Sequence, residues 1–159
     1  MEQKLSKSAQ AVQDALLKKG SHFKVLELPE STRSAQEAAQ AIGCEVAQII
    51  KSLIFKTKDT NKPILVLASG SNRVDEKLIE KQLGEKITKA DADFTREVTG
   101  FAIGGIPPMG HKQKIQTFID EDLMKFSELW AAAGTPNAVF SLKPHDLQTL
   151  TGGTIIAIH

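Results

Sequence analysis

Hydrophobic residues recur at intervals of three and four in several parts of the chain, as on one face of an amphipathic helix. Ala9, Val12 and Leu16 are the clearest example. Ser34 followed by Glu37 is a capping-box pattern, and a glycine suited to the C′ position closes most of these segments. The pattern predicts helices over residues 8–19, 35–42, 74–83 and 91–98, and a short helical turn over residues 146–150.

Short apolar runs bounded by turn residues predict strands between these helices. The runs 52–55 and 63–68 flank a polar turn, so we expect them to pair as a central hairpin. Further strands are predicted over residues 23–28, 115–119, 129–133, 138–142 and 154–158. Because strands and helices follow one another in a mixed order, we expect a mixed sheet that curls toward a barrel, with helices outside, rather than a doubly wound parallel fold.

Length and composition place this pattern in one ordinary α/β domain over residues 1–159. Hydrophobic residues make up 41% and charged residues 25% of the 159 residues, which is typical of globular proteins. No apolar run approaches the roughly 20 residues that cross a bilayer, so no membrane is expected as a partner. The amino terminus leads into no apolar signal segment, and Cys44 is the only cysteine. Both features favour a cytoplasmic location.

Charge is unevenly distributed, although the formal net charge is only +1. Residues 51–114 contain twelve Lys/Arg and eight Asp/Glu, a balance of +4. Such a segment can favour a phosphate backbone, but solvated lysines produce the same bias. Charge alone therefore leaves both interpretations open.

A glycine- and proline-rich loop over residues 104–112, Gly-Gly-Ile-Pro-Pro-Met-Gly-His-Lys, is the strongest local motif. Gly105 and Gly110 have the spacing of a phosphate-binding P-loop, but His111 stands where the lysine is required. Pro107 and Pro108 also lack the N–H groups that such a loop directs at phosphate. The motif excludes a nucleoside triphosphatase. It leaves either a tight structural turn or a stiff loop that lets a ligand approach the backbone closely.

Two other segments can bear chemistry. Lys51 precedes the apolar run 52–55, where a lysine can anchor an anionic or amine-bearing substrate or simply extend its ammonium to water. Residues 131–137, Ala-Ala-Ala-Gly-Thr-Pro-Asn, combine small residues with the polar Thr135 and Asn137. That pattern fits a pocket wall or a plain strand corner.

The usual catalytic sets are missing from the sequence. His22, His111, His145 and His159 are scattered without a zinc-ligand spacing, and no nucleophile elbow occurs. The acidic run 120–122 is better placed to cap a helix than to bind a metal. We therefore expect neither a metal ion nor a nucleotide cofactor.

In combination, these motifs resemble the YbaK/ProX family of free-standing aminoacyl-tRNA deacylases, relatives of the editing insertion domain of bacterial prolyl-tRNA synthetase. Lys51 before Ser-Leu-Ile-Phe, the loop at 104–111, and Ala-Gly-Thr-Pro-Asn at 133–137 followed by Asp146-Leu147 occur in one order. The resemblance covers about residues 8–158. It implies a mixed-sheet, barrel-like α/β fold with a pocket for the 3′-terminal aminoacyl-adenosine of tRNA.

The resemblance also implies which residues act. The family's functional lysine falls on Lys51, and Gly104 and Gly105 are expected to be catalytic through backbone N–H groups that form an oxyanion hole. Asn137 stands where many members have histidine, and asparagine does not titrate near neutral pH. Substrate-binding roles are implied for Ser52, Pro108, Gly110, His111, Gly134, Thr135 and Asn137.

The expected function is trans-editing, in which the protein hydrolyses the ester of mischarged aminoacyl-tRNA. The substrate is expected to be tRNA-Pro carrying a small wrong amino acid such as alanine or cysteine, with prolyl-tRNA synthetase as a possible partner and DNA excluded. Two alternatives remain at this point. One is a non-catalytic module that binds a synthetase or an aminoacyl group. The other is a hydrolase of a small ester or amide unrelated to tRNA.

Overall fold

The computed structural model describes residues 5–20 and 23–159. The absence of a signal segment was inferred partly from residues 1–4, and the scattered histidines include His22; these positions lie outside the described residues. The helices are α1 (Lys7–Lys19), α2 (Ala35–Ile42), α3 (Glu76–Leu83), α4 (Ala92–Thr99) and α5 (Pro144–Thr151). The strands are β1 (Leu26–Glu27), β2 (Ile49–Thr57), β3 (Pro63–Ser69), β4 (Ile87–Lys89), β5 (Gln116–Asp120), β6 (Leu129–Ala132), β7 (Ala138–Leu142) and β8 (Thr154–Ile156).

The strands form one mixed sheet in the order β1-β7-β6-β2-β3-β5-β8, and β4 pairs with the far part of β2. Antiparallel pairing joins β2 to β3 and β6 to β7, whereas β2–β6, β3–β5 and β5–β8 are parallel. The sheet is curled but not closed. This confirms the predicted mixed-sheet α/β class and the central hairpin.

The hairpin of β2 and β3 lies at the centre of the fold because apolar side chains cover both of its faces. Leu65 and Leu67 belong to the larger core cluster, which also receives Val12 and Leu16 of α1. Val66 belongs to a second cluster on the opposite face. Each fully buried aliphatic side chain contributes about 1.5–3 kcal/mol to folding. Burial on both sides therefore makes the hairpin a rigid support for any residue at its edge.

Tertiary contacts change the ends of several predicted elements. β2 begins at Ile49, so Lys51 is the third residue of the strand and does not precede it; pairing of Ile49 and Ile50 with β6 extends the strand. The predicted strand 23–28 is reduced to β1, because the Gln13 side chain accepts from the Val25 N–H and donates to the Phe23 carbonyl.

Two further differences have local causes. α5 begins at Pro144, earlier than predicted, because proline suits the first helical turn and the Asp146 carboxylate accepts the Lys143 N–H. Strand β4 was not predicted from the sequence, because Ile87 is its only apolar residue.

No helix in the described part of the chain is long and apolar enough to cross a membrane.

Candidate active site

The edge of β2 that faces away from β3 is interrupted. β6 pairs with this edge at Ile49 and Ile50, and β4 pairs with it at residues 55–57. Residues 51–53 pair with β3 on one side but, among the described residues, with no strand on the other. We call residues 51–53 the open edge. Lys51 and Ser52, both singled out in the sequence, lie on it.

Two cavities adjoin the open edge and share Lys51, Ser52, Leu53, Ile103 and Ile106. The smaller cavity has a volume of about 310 Å³ and lies between the open edge, α2 and β6. Its apolar walls include Ala38, Ile42, Ile49, Trp130 and Val139.

The larger cavity has a volume of about 540 Å³, and charged side chains contribute to its lining. Arg73 and Lys89 are cationic and Glu76 is anionic. With Lys51 on the shared wall and Arg33 lining the smaller cavity, four cations surround the combined cleft. The cleft is therefore suited to an anionic ligand that also has an apolar part.

The Lys51 ammonium is held at the cleft by a loop that follows β3. Its Nζ donates to the Asn72 carbonyl at 2.5 Å. The Asn72 side-chain amide donates in turn to Asp120 and Asp122, each at 2.8 Å. Burial lowers the pKa of Lys51; the Asp120 carboxylate opposes this effect and the positive charge of Arg73 adds to it. The result is a positioned lysine that gives up its proton more readily than one in water.

Asp120 supports this arrangement from within the core. The side chain is fully buried, caps the 3-10 turn Glu121–Lys125 by accepting the Asp122 N–H, and also accepts the Ser69 N–H. Capping was the interpretation drawn from the sequence. The link from Asp120 through Asn72 to Lys51 was not predicted, because its two hydrogen bonds join residues that lie 48 and 21 positions apart in the chain.

Ser52 has polar groups without partners in the described part of the chain. Its Oγ is buried and makes no hydrogen bond there. Its main chain lies on the open edge, which pairs with β3 on one side and, among the described residues, with no strand on the other. Unsatisfied buried polar atoms are uncommon in folded proteins, and a catalytic role is one of the physical reasons for them.

The loop predicted to form an oxyanion hole is partly closed on itself. The Gly105 N–H donates to the Ala102 carbonyl at 3.1 Å across a tight turn in which Gly104 has a φ of 97°. The Gly105 N–H is thus not available to a substrate while this turn is formed, contrary to the expectation from the sequence. Gly104 lines the smaller cavity, where the Arg33 side chain lies across it.

Gly105 is required by a close backbone approach. A Cβ at this position would come within 2.8 Å of the Thr135 backbone nitrogen, and the Gly134 N–H donates to the Gly105 carbonyl. Gly105 therefore fixes the loop that bears Ile103 and Ile106 against the 133–137 segment.

Pro108, Gly110 and His111 lie elsewhere. They line a separate groove with Lys18 and Lys114, and none of them lines the cleft at Lys51. His111 Nε2 is 2.7 Å from the Pro107 carbonyl oxygen, and burial lowers the pKa of the imidazole. The structure thus does not bring these three predicted substrate-binding residues together with Lys51.

Gly134, Thr135 and Asn137 support the cleft from outside. The Asn137 amide donates to the Leu28 carbonyl at 2.9 Å, and its Oδ1 accepts from the Thr135 hydroxyl at 3.1 Å. Thr32, which directly precedes Arg33 in the sequence, donates its hydroxyl to the Pro136 carbonyl. These contacts hold the segment that places Arg33 beside Gly104, and none of the three predicted residues lines either cavity.

Among residues 5–20 and 23–159, no group of three or more histidine, cysteine, aspartate or glutamate side chains is arranged to hold a metal ion.

Comparison with known proteins identifies the class to which this fold and cleft belong. Residues 29–150 match the family model of the aminoacyl-tRNA editing domain. The solved structure of a candidate trans-editing enzyme for prolyl-tRNA synthetase superposes with a TM-score of 0.92 at 47% identity, over 98% of both chains. The chain therefore belongs to the aminoacyl-tRNA editing domain family, as the ordered motifs indicated.

Two curated relatives have names that concern proline tRNA. EbsC of Enterococcus faecalis, named as a candidate Cys-tRNA(Pro)/Cys-tRNA(Cys) deacylase, is 27% identical over 81% of this chain and 79% of its own. The proline–tRNA ligase of Limosilactobacillus fermentum is 32% identical over 57% of this chain, which is 16% of the ligase. Membership of the editing-domain family makes this protein an enzyme of the aminoacyl-tRNA deacylase class.

Proposed function

We propose that this protein is a free-standing trans-editing enzyme that removes a small wrong amino acid, such as alanine or cysteine, from tRNA-Pro. The observation that supports this most directly is the cleft at the open edge. There, the positioned Lys51 ammonium stands between a small apolar cavity and a larger cationic one. An aminoacyl-tRNA end has the same two parts, an amino acid side chain and an anionic nucleotide.

The smaller cavity would receive the amino acid. Its volume of about 310 Å³ is at the lower limit for small-molecule sites. Ala38, Ile42 and Trp130 form an uncharged part of its wall, which suits a small aliphatic or thiol side chain, and Arg33 and Lys51 supply the charged part. A pocket of this kind distinguishes ligands by only about 1–3 kcal/mol per methylene group, so we expect a preference among small residues rather than absolute selection.

The larger cavity would receive the terminal adenosine and its phosphate. Arg73 and Lys89 offer positive charge on its walls, and Lys51 faces it from the open edge. Charge-assisted hydrogen bonds to phosphate are stronger than neutral ones and fix the geometry of the ester. Lys51 would therefore act by electrostatic anchoring, not as a nucleophile.

The chemistry asks little more of the protein, because an aminoacyl ester is already activated. A positioned water and stabilisation of the developing oxyanion suffice, and the terminal ribose hydroxyl can help to orient the water.

We therefore propose that residues 1–159 act as one editing domain without a metal ion or nucleotide cofactor. Prolyl-tRNA synthetase, as the source of mischarged tRNA-Pro, would be a partner in the cytoplasm.

Deacylation of a panel of mischarged tRNAs by the purified protein, with and without EDTA, tests this function. Ala-tRNA-Pro or Cys-tRNA-Pro should be hydrolysed fastest, and EDTA should have no effect. Lys51→Ala should lower the rate by about 10- to 150-fold, the loss expected for one charge-assisted contact of about 1.5–3 kcal/mol. Lys51→Arg should restore only part of it, because a planar fork cannot replace a point charge.

Lys143→Ala is the matched control, because Lys143 is exposed and lines neither cavity. Thermal melts should show that all three variants fold. A folded Lys51→Ala variant that hydrolyses its substrate at the wild-type rate would contradict the assigned site. Activity that EDTA abolishes would contradict the absence of a metal requirement.

A further inference from the structure

The direction of the main-chain groups at Ser52 follows from the pairing of β2. In an antiparallel pair, the N–H and C=O of alternate residues point to opposite sides of the strand. The Ile49 carbonyl accepts from the Gly70 N–H on the β3 side, and the Ile54 carbonyl accepts from the Ala90 N–H on the other side. Ser52 has the same parity as Ile54. Its N–H and C=O therefore point away from β3, into the gap between β6 and β4.

Neither main-chain group of Ser52 has a partner in the described residues. The parallel ladder with β6 ends at Ile50 and Ala131, one step before Ser52 would join it. The antiparallel ladder with β4 begins at Phe55. The buried Ser52 Oγ is also unpartnered. A donor and an acceptor thus stand side by side on a rigid strand, at the wall that both cavities share.

We propose that the aminoacyl group of the substrate fills this gap as a one-residue strand. Its carbonyl oxygen accepts a hydrogen bond from the Ser52 N–H, and its free α-ammonium donates to the Ser52 carbonyl. Two directly opposite residues of an antiparallel sheet exchange the same two hydrogen bonds, and peptides form them when they add to an open sheet edge. It directs the side chain out of the plane of the sheet and the ribose ester along the strand, so the two parts leave Ser52 in different directions, in keeping with two cavities that meet there.

This assignment gives the Ser52 N–H the task that the sequence suggested for the Gly105 N–H, which the Ala102 turn already uses. Water adds to the carbonyl carbon, and the developing oxyanion keeps its hydrogen bond to the Ser52 N–H. The bond between the carbonyl carbon and the ribose oxygen then breaks. The proton lost by the attacking water balances the one gained by the ribose oxygen, and the products are the free amino acid and tRNA with a free hydroxyl.

The assignment rests on the proposed deacylase function, and replacing one main-chain N–H tests it separately. An ester bond between residues 51 and 52, introduced with the α-hydroxy analogue of serine, removes the Ser52 N–H and keeps its side chain. We expect kcat to fall about 100-fold or more, the effect of losing one oxyanion donor.

The same replacement at Thr57 is the matched control. The Thr57 N–H donates to the Lys62 carbonyl on the β3 side, and Thr57 lines neither cavity. This control should lower the melting temperature more than the ester at Ser52 while keeping kcat within a few-fold of wild type. If the unmodified enzyme deacylates its substrate and the protein with the ester at Ser52 has the same kcat, the Ser52 assignment is wrong and the proposed function stays intact. A wild-type enzyme inactive on every mischarged tRNA would overturn both.

The second half of the pairing is tested with the substrate. Propionyl-tRNA-Pro has the side chain of alanyl-tRNA-Pro but lacks the α-ammonium. Because the ammonium also activates the ester, each enzymatic rate is divided by the spontaneous hydrolysis rate of the same ester. The normalised rate should be about tenfold or more lower for propionyl-tRNA-Pro. Equal normalised rates would show that the Ser52 carbonyl does not bind the ammonium.

Discussion

Lys51 lies on the wall between the two cavities, with an ammonium group whose pKa is lowered mainly by burial. Asp120 works in the opposite direction, and Arg73 adds to the lowering. Anchoring requires the protonated form of Lys51, so the deacylation rate should decline as the pH rises through the lowered pKa of this side chain. This decline should occur at a lower pH than the one at which an exposed lysine loses its proton.

The Arg73→Gln variant tests the direction in which this pH dependence shifts. Removing a neighbouring positive charge stabilises the Lys51 ammonium and raises its pKa, so the alkaline decline of the rate should move to higher pH. The overall rate should also fall, because Arg73 lines the larger cavity. The measurement is a pH–rate profile of single-turnover deacylation, corrected for spontaneous ester hydrolysis. A decline that stays in place or moves to lower pH would show that another group titrates.

At the scale of elements, the loop from Phe101 to Ile106 depends on contact with the 133–137 segment. The Gly105 carbonyl accepts the Gly134 N–H, and the Thr135 backbone leaves no room for a side chain at Gly105. Ile103 and Ile106, which line both cavities, lie on this loop. The shape of the cleft should therefore depend on a glycine that touches no substrate.

Gly105→Ala should lower both stability and activity. The added methyl group must displace the Thr135 backbone, and overpacking of this kind typically costs about 1–3 kcal/mol. Gly84→Ala is a useful control, since Gly84 has a φ of 75° and open space around its Cβ position. Its cost should be similar, about 1–2 kcal/mol for the left-handed backbone, but activity should be unchanged. Chemical denaturation and deacylation assays compare the two. Equal activity would show that the loop position does not matter for the cleft.

At the scale of the whole molecule, the net charge of +1 conceals a cationic cleft. Arg33, Lys51, Arg73 and Lys89 converge there from four segments of the chain. A protein of nearly neutral charge should then bind the tRNA end through a few local phosphate contacts rather than through a broad basic surface.

The salt dependence of kcat/KM should show how many phosphate contacts there are. Each contact to a single-stranded end contributes about −0.7 to the slope of log affinity against log salt concentration. Arg73→Gln should make the slope shallower by roughly one such contact, whereas Lys143→Gln, outside both cavities, should leave it unchanged. If both variants keep the wild-type slope, the larger cavity is not the phosphate site.

Local patterns in the sequence determined several secondary-structure elements of this protein and its family. The capping residues predicted α2, and two apolar runs around a polar turn predicted the central hairpin, because these elements depend on contacts between near neighbours in the chain. The ordered motifs around Lys51, Gly104 and Gly134 indicated the editing family, which the match over residues 29–150 confirmed. Lys51 and Ser52 were recognised as residues of interest, but their surroundings were not.

Only the tertiary structure decided which residues share the cleft. Lys51 meets Asn72 because Asp120, from another strand, fixes the loop after β3. The glycine–proline motif is divided, so that Gly104 lines the cleft and His111 lines another groove. The open edge at Ser52 exists because β6 and β4 each stop short of it. Such features arise from pairings between segments distant in the chain, for which local hydrophobic spacing contains no signal.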